Sequence, residues 1–337
     1  MKKLFFYISV LFLFYSCNNI IEENTPANVF EVFWRTMDEK YPFFEEKGVD
    51  WDSIYDVYAP KARAVRNDRE LLDIFRSILP LFQDGHLWVH NPTITTTVRS
   101  LDTLWWAMRR NNVDALISNG FEDIHLEEQL LILENKEKRI AYIKLNTFNY
   151  QRNNISTHQP ENFLKSLDFA NGLIIDLSDN SGGHRSSTHN FVSAFFAGRK
   201  IIYYTQEKTG RGRNDFSSKI PVSMRGKGYV PDSVPIVILT SINTFSGGNF
   251  AVYILSDLRN CTVIGRTTSD GGASLSRIPL PNGWILGFPT GKSFSPSGRN
   301  MEFGFEPDVF VEVKEGESFR NNLLLTALEY LDGKKVD

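Results

Sequence analysis

Apolar residues in the first quarter of the chain recur at helical spacing. Between residues 29 and 81 they stand mostly three or four positions apart, as on one face of an amphipathic helix. The groups are Val29, Val32, Phe33 and Met37, then Ile54, Val57 and Tyr58, then Leu71, Leu72, Ile74, Phe75, Ile78 and Leu79. This pattern predicts a helical module over residues 28–90, which ends in an Asp84-Gly85-His86 turn and a short strand.

Apolar runs of a different kind begin at residue 139. Residues 140–145, 173–177, 236–239 and 262–264 are short runs rich in Ile, Leu and Val, typical of strands buried on both faces. Helical patterns cover 188–196, 248–258 and 319–331. The alternation predicts an α/β core over residues 139–332 with a substantial parallel component, and residues 91–138 are left as a connecting region.

The N-terminus has the order of a secretory signal. Lys2 and Lys3 precede an apolar stretch over residues 4–15, and Ser16-Cys17 then gives way to polar residues. The stretch is shorter than the roughly 20 apolar residues of a membrane-spanning helix. Ser16-Cys17 resembles a bacterial lipobox, with Phe14 where Leu is usual. We expect residues 1–17 to be a lipoprotein signal peptide, Cys17 to be lipidated, residues 18–27 to be a tether, and the protein to be membrane-anchored in the bacterial cell envelope.

Composition narrows the possible classes of protein. The 337 residues are 42% hydrophobic, enough for a large core, and 37 basic against 40 acidic residues give a net charge of -3. No global positive field draws in nucleic acid, so no nucleic-acid partner is expected. If Cys17 is lipidated, only Cys261 remains, in an apolar run that predicts a buried strand cysteine. Clustered Cys and His spacing is missing from the sequence, so no metal and no organic cofactor are expected.

A basic segment at residues 206–227 stands apart from this balance. It holds six Lys or Arg residues against Glu207 and Asp215, together with several Gly and Ser. Two interpretations remain open: a solvated surface connection, or a rim that attracts a peptide carboxylate or an acidic side chain.

Two strand-to-helix turns could carry chemistry. Ser246 follows an apolar strand pattern and precedes a helical one, so unpaired helix amides and the positive dipole end could stabilise an oxyanion beside it. Ser is also a favoured N-cap residue, and that alternative stays open. Gly182 and Gly183 follow another strand pattern, where their amides could complete an oxyanion hole or form a plain turn.

A serine nucleophile needs a base, and six histidines are available. His86 lies at a turn entering a strand, and His184 directly follows the glycine pair. Spacing alone does not choose between them.

A series of motifs resembles peptidase family S41, the C-terminal-processing and tricorn-like proteases. In the family's order, they are Asp84-Gly85-His86, the run at residues 176–183, residues 237–248 with Thr244-Phe245-Ser246-Gly247-Gly248, residues 264–268 and residues 302–308. The resemblance implies a ClpP/crotonase-like α/β core with a helical N-terminal module and a peptide or protein substrate. It also implies Ser246 as nucleophile, with Gly247 and either Gly182 or Gly183 forming the oxyanion hole.

The two branches of this family differ in their base. The processing branch keeps a lysine where this sequence has Gly271, whereas the tricorn-like branch uses a His and a Glu that correspond to His86 and Glu302. The tricorn-like Ser beside that His is Gly85 here. Residues 92–138 are short for the PDZ domain that the family often inserts, so none is predicted. A non-catalytic peptide- or lipid-binding protein on the same scaffold, and an esterase or amidase, remain alternatives.

Overall fold

A computed structural model describes residues 24–101, 113–127, 130–149, 158–167, 171–312 and 318–334. Cys17 and the predicted signal peptide lie outside the described residues. The helices are α1 (Pro26–Lys40), α2 (Trp51–Ala64), α3 (Asp68–Ile78), α4 (Val113–Ser118), α5 (His158–Lys165), α6 (Arg185–Val192), α7 (Gly247–Leu255) and α8 (Phe319–Leu331). The strands are β1 (Trp88–Asn91), β2 (Thr96–Arg99), β3 (Glu122–Glu127), β4 (Leu130–Asn135), β5 (Ile140–Leu145), β6 (Gly172–Asp176), β7 (Ala197–Gln206), β8 (Ile220–Lys227), β9 (Ile236–Thr240), β10 (Cys261–Gly265), β11 (Ser274–Pro279), β12 (Ile285–Thr290), β13 (Lys292–Phe294) and β14 (Val309–Phe310).

Helices α1 to α3 form the predicted N-terminal module. Their N-caps are Thr25, Asp50 and Asn67, each of which accepts a hydrogen bond from an amide of the first turn. Helix α1 therefore begins inside the predicted tether, because the Thr25-Pro26 pair is a helix-start signal. No helix in the described ranges is both long and apolar enough to cross a membrane.

A seven-stranded sheet forms the centre of the α/β core, with the order β14-β10-β9-β6-β5-β4-β3. Strands β5, β6, β9, β10 and β14 are parallel neighbours, and β3 and β4 extend the sheet as an antiparallel hairpin. Buried clusters cover both faces, one with residues of α6 and α7 and the other with residues of α4 and α8. The predicted α/β class with a helical N-terminal module is confirmed.

The predicted connecting region, residues 91–138, needs correction because it contains β3 and β4. The apolar β4 joins β5 through the charged turn at residues 136–139, where Arg139 has φ 56°. We expected the core to begin after that charged turn, but the turn closes a hairpin within the sheet.

A second core joins the helical module to a four-stranded antiparallel sheet of order β11-β12-β1-β2. Apolar residues of α1 to α3 pack with Val89, Val98, Leu286 and Phe288 from this sheet. Strands β11 and β12 come from the predicted core segment, so the two regions are interleaved in space although they are separate in sequence. The sheet leaves its opposite face free for a cleft.

The basic segment at residues 206–227 is partly strand. Its residues 220–227 form β8, which pairs with β7 in a three-stranded sheet of order β13-β7-β8. Arg213 binds Asp38 of α1 at 2.6 Å and Asp52 of α2 at 2.5 Å. The segment thus contacts the helical module, and none of its residues lines the cleft described below.

Candidate active site

Ser246 lies at the sharp turn between β9 and α7. Its backbone has φ 52° and ψ −116°, a combination that residues with a side chain rarely adopt. The turn is held in place because the Phe245 amide donates to the Asn180 carbonyl at 2.9 Å and the Ser246 amide donates to the Asp270 carbonyl at 3.3 Å. Ser246 makes no side-chain capping bond to the helix. The N-cap alternative is therefore not realised.

His86 contacts Ser246 from the side of the second core, which joins the helical module to the four-stranded sheet. It lies in the turn that leads into β1, and its Nε2 is 3.0 Å from Ser246 Oγ. Asp84 Oδ1 accepts the His86 amide at 2.8 Å, and the imidazole packs on the Phe245 ring at 4.8 Å. The structure thus brings together the two residues that the resemblance paired.

Burial keeps the imidazole neutral. The His86 side chain is 6% exposed, and desolvation lowers its pKa from 6.5 to about 4. The charge of Asp84 raises the pKa, whereas those of Lys47, Arg277 and Arg185 lower it. A neutral imidazole beside a serine hydroxyl can accept its proton. Nδ1 is buried and has no hydrogen-bond partner among the described residues.

Main-chain amides converge on the same place. The Gly247 amide is the first of α7, and a Cβ built on Gly247 would lie 3.1 Å from the Gly183 nitrogen, which places the two residues side by side. The Gly182 amide already donates to Asn180 Oδ1 at 2.9 Å. Of the two predicted partners for Gly247, Gly183 therefore has the amide suited to an oxyanion. Gly182 has φ 86° and would place a Cβ 2.7 Å from the Gly247 nitrogen, so only glycine fits there.

Glu302 is buried near His86 but makes different contacts. Its Oε2 accepts the Ala273 amide at 3.2 Å, and no hydrogen bond to His86 is formed in the part of the chain that the structure describes. Burial, followed by the charges of Asp84 and Asp270, raises the pKa of Glu302 well above its usual value. Glu302 thus supports the segment at residues 271–273, which lies against His86 and Ser246.

Lys47 is a residue that the sequence interpretation missed. It follows α1, and its Nζ lies 3.4 Å from Asp270, 3.6 Å from Asp84 and 3.7 Å from Glu302. Burial works against the charged form, but the charges of the three carboxylates outweigh it and raise the pKa of Lys47. The three acids have oxygens within 4.8 Å of one another, the spacing of a metal site, and the Lys47 ammonium supplies positive charge beside them.

Asp270 connects the turn that carries Ser246 with the turn that carries His86. Its carbonyl accepts the Ser246 amide, and its Oδ2 accepts the Gly85 amide at 3.0 Å. Burial, followed by the charge of Asp84, raises the pKa of Asp270 from 3.8 to about 6. Neither Lys47 nor Asp270 belongs to a local motif that could have identified it, since the contact between them joins segments 223 residues apart.

Two glycines explain the departures from the family's patterns. A Cβ on Gly271, which has φ 107°, would lie 2.9 Å from His86 Cε1 and 3.0 Å from Ser246 Cα. A Cβ on Gly85 would lie 2.6 Å from the Phe245 ring and 2.8 Å from Asp270 Oδ1. The lysine of the processing branch and the Ser of the tricorn-like branch therefore have no room at these positions.

A cleft of about 820 Å³ opens over Ser246 and His86. Its lining includes Ser246, His86, Gly183 and Gly247, so the candidate nucleophile and both candidate amides face the same space. His184, the other candidate base, also lines the cleft, but its side chain is exposed. Cys261 lies half-buried in β10, away from the cleft, and burial raises the pKa of its thiol.

Comparison with known proteins identifies the family of the chain. The family model of peptidase family S41 matches residues 139–311, and that of the tricorn protease C1 domain matches residues 22–79. The carboxy-terminal processing protease CtpB of Bacillus subtilis (strain 168) is 23% identical over 179 residues, which make up 51% of this chain but only 34% of CtpB. The match thus spans about a third of that relative's length.

Solved structures extend the comparison over most of the chain. A protein of Parabacteroides merdae ATCC 43184, provisionally assigned as a peptidase, has a TM-score of 0.79 and 26% identity, covering 92% of this chain and 97% of its own. Mature CPAF has a TM-score of 0.65 and 11% identity, covering 91% of this chain and 95% of its own. The second similarity concerns the fold alone.

Proposed function

This chain belongs to peptidase family S41, and on that basis we propose that it is a serine endopeptidase with Ser246 as nucleophile and His86 as general base. The observation that carries the proposal is the 3.0 Å contact between His86 Nε2 and Ser246 Oγ at the bottom of an open cleft. A hydroxyl within hydrogen-bond reach of a neutral imidazole is the arrangement that nucleophilic catalysis requires.

The proposed reaction is acyl transfer. Ser246 Oγ attacks the peptide carbonyl while His86 Nε2 accepts the hydroxyl proton, and the carbonyl oxygen becomes an oxyanion. The amides of Gly247 and Gly183 donate to that oxyanion. His86 then gives its proton to the leaving amine, and water, with His86 again as base, hydrolyses the acyl-enzyme. Each step uses only groups that line the cleft.

Glu302 is proposed as a positioning residue. It binds the Ala273 amide and lies near Lys47, and Gly272 approaches the Glu302 backbone so closely that a Cβ there would lie 2.7 Å from the Glu302 nitrogen. Through this packing Glu302 fixes Gly271 against the His86 ring. Replacing Glu302 by Gln should lower kcat less than replacing His86 by Ala, because Glu302 does not itself move the proton.

Reaction with a serine-directed fluorophosphonate, combined with turnover of a peptide library, tests the function. We expect a single label on Ser246, cleavage of peptides, and loss of both in Ser246→Ala with the fold retained. Labelling with ester turnover but no peptide turnover would instead indicate an esterase. A well-folded protein without labelling or turnover would indicate a binding protein on the S41 scaffold.

We also propose that Cys17 is the lipidated N-terminus of the mature protein, anchored in the bacterial cell envelope. The order Lys2-Lys3, apolar stretch, Ser16-Cys17 supports this. Mass spectrometry of the protein purified from membranes should find an N-terminal Cys17 carrying lipid mass. A mature protein that starts at Met1, or beyond Cys17 without lipid, would contradict the assignment.

A further inference from the structure

The four-stranded sheet lines one wall of the cleft with a row of aligned side chains. Trp88 of β1 is opposite Arg99 of β2 on one side and Gly287 of β12 on the other, and Gly287 is opposite Arg277 of β11. Residues directly opposite each other share a face of the sheet, so Arg277, Trp88 and Arg99 point to the cleft. The row presents a cation, an aromatic ring and a second cation.

Gly287 leaves room for the Trp88 ring within this row. A Cβ on Gly287 would lie 2.2 Å from Trp88 Cε2, which means that the indole lies flat over the glycine. The Arg277 guanidinium is 5.8 Å from the indole centroid, within range of a cation–π contact. Arg277 is thus held beside the ring, and its side chain is still exposed to the cleft.

A third arginine faces the cleft from the opposite wall. Arg185 is the first residue of α6, and its guanidinium lies 4.8 Å above the Phe250 ring and 5.6 Å from the Tyr203 ring. Arg277 and Arg185 both act electrostatically on His86, which places them near the catalytic pair.

These guanidinium groups form no ion pair with an acidic side chain among the described residues. Within the described ranges, no Asp or Glu lines the cleft, and none of the three arginines forms an ion pair within 4 Å. Elsewhere in the same structure exposed arginines do pair, as Arg63 does with Glu31 and Arg76 does with Asp73. The cleft therefore holds three unneutralised cations around a catalytic serine.

We propose that this cleft selects peptides that carry carboxylate groups near the scissile bond, bound by Arg99, Arg277 and Arg185. The inference rests on the proposed peptidase function and names its substrate class. A planar guanidinium binds a carboxylate through two parallel hydrogen bonds, and unpaired cations in a concave site attract anions from a distance. The flat indole of Trp88 offers an apolar surface between the two charged positions.

The register also gives a spacing. Arg277 and Arg99 are three strands apart, which is about 14 Å at the usual strand separation. An extended peptide advances about 3.3 Å per residue, so two acidic side chains about four positions apart would match the two guanidinium groups.

The test uses internally quenched peptides with amidated C-termini and the same central apolar residues. One carries two Glu residues four positions apart across the cleavage site, a second has Gln at both positions, a third has Lys, and a fourth is the Gln peptide with a free C-terminal carboxylate. The variants are Arg99→Gln, Arg277→Gln and the double variant, with Arg225→Gln as control because Arg225 is exposed on β8 outside the cleft.

We expect kcat/KM to be at least about 10-fold higher for the Glu peptide than for the Gln peptide, and to fall with added salt. Each cleft variant should lower the ratio of kcat/KM between the Glu and Gln peptides, and the double variant should bring it close to 1, whereas Arg225→Gln should retain the preference. A preference confined to the fourth peptide would support the carboxylate site and assign it to a chain terminus. Equal rates for the Glu peptide, the Gln peptide and the Gln peptide with a free carboxylate, or a preference that survives the double variant, would overturn the proposal.

A binding measurement separates this inference from the peptidase function. Fluorescence anisotropy with Ser246→Ala should give tighter binding of a labelled Glu peptide than of the Gln peptide, with the difference lost in Arg99→Gln/Arg277→Gln. If selective binding is found although the unaltered protein cleaves nothing, the peptidase function fails and the carboxylate site stands. If peptides are cleaved but Glu and Gln peptides bind equally, the peptidase function stands and the carboxylate site fails.

Discussion

Ser246 occupies a strained backbone conformation that exposes its hydroxyl to His86. The φ of 52° lies in the region that favours glycine. Two backbone hydrogen bonds hold the turn there, from the Phe245 amide to the Asn180 carbonyl and from the Ser246 amide to the Asp270 carbonyl. Strain of this kind costs of order 1–3 kcal/mol and is maintained where the surroundings over-determine it. The strained conformation therefore marks Ser246 as a candidate functional residue more clearly than the fact that it is a serine.

Comparison of Ser246→Gly with Ser246→Ala isolates this strain. Both variants lose the hydroxyl and its contact with His86, so both should be inactive, but only glycine adopts the turn without a steric cost. We expect the Gly variant to have a free energy of unfolding about 1 kcal/mol above that of the Ala variant, measured by urea denaturation. A more stable Ala variant would show that the turn is unstrained.

His86 should remain a competent base in mild acid. Because burial lowers its pKa to about 4, the imidazole stays neutral well below the ordinary value of 6.5. We expect kcat/KM for a neutral peptide to fall on the acid side only below about pH 5, instead of near the pH 6.5 that an unperturbed histidine would give.

Arg277→Gln provides the internal comparison for the pH profile. Asp84 raises the pKa of His86, and Lys47, Arg277 and Arg185 lower it, so removing the Arg277 charge should move the acid limb to higher pH. An acid limb near pH 6.5 in the unaltered protein, unmoved by Arg277→Gln, would mean that His86 is more hydrated than its 6% exposure indicates.

At the scale of elements, the segment after α1 supplies a cation to the active site. Lys47 comes from the helical module, Asp84 from the turn before β1, and Asp270 and Glu302 from segments on either side of β11 to β13. The lysine thus ties the helical module to both catalytic turns. Removing its charge leaves three buried carboxylates facing one another.

Lys47→Met should therefore destabilise the protein strongly at neutral pH, by about 3 kcal/mol or more, since a buried charge network has lost a partner. The loss should be smaller at pH 5, because Asp270 and Glu302 have raised pKa values and take up protons more readily than ordinary carboxylates. Urea denaturation at pH 5 and pH 8 measures the difference.

Lys292→Met is the matched control for this prediction. Lys292 lies in β13 and pairs with Glu46, next to Lys47 in sequence, but nearer to solvent. We expect a loss of no more than about 1 kcal/mol, equal at both pH values. Equal losses for the two lysines would contradict the role of Lys47.

The basic segment illustrates where sequence patterns stop being informative about elements. Its charges were visible, but whether they faced a substrate or another element depended on the partners, and Asp38 and Asp52 lie more than 160 residues away. The cleft arginines differ from the basic segment, because they are close together in space but not in sequence. Arg99, Arg185 and Arg277 are isolated in sequence, and only strand register and the approach of α6 bring them together.

At the scale of the whole molecule, the motifs predicted the family and the fold class, and both are confirmed. Patterns of this kind are local: strands such as β5 and helices such as α8 are predicted residue for residue. The interleaving of β11 and β12 with the helical module was not predicted, because pairing between distant strands leaves no local trace in one sequence. The β3–β4 hairpin is local in sequence, but the interpretation of residues 91–138 as a connecting region missed it. The partnership of His86 with Ser246 came from the resemblance, and the structure supplies its geometry.

The active site is assembled between two cores. Ser246 starts a helix packed in the core of the seven-stranded sheet, whereas His86 precedes a strand packed on the helical module. A defect in the second core should therefore displace His86 relative to Ser246 even when the chain stays folded. A displacement of about 1 Å can cost a catalytic site roughly 100-fold in rate.

Phe75→Ala tests this assembly. Phe75 of α3 is fully buried, 4.8 Å from the Phe33 ring and 6.0 Å from the Trp284 ring, so its loss leaves a cavity beside the sheet that carries His86 and costs about 3–5 kcal/mol. Leu324→Ala is the control, because Leu324 of α8 is buried on the far face of the other sheet and its loss costs a comparable 2–5 kcal/mol. At a temperature where circular dichroism shows both variants folded, we expect Phe75→Ala to lower kcat/KM and the rate of fluorophosphonate labelling by about 10-fold or more, and Leu324→Ala to leave both within about twofold. Equal activity losses in the two variants would mean that the position of His86 follows overall stability and not the core formed with the helical module.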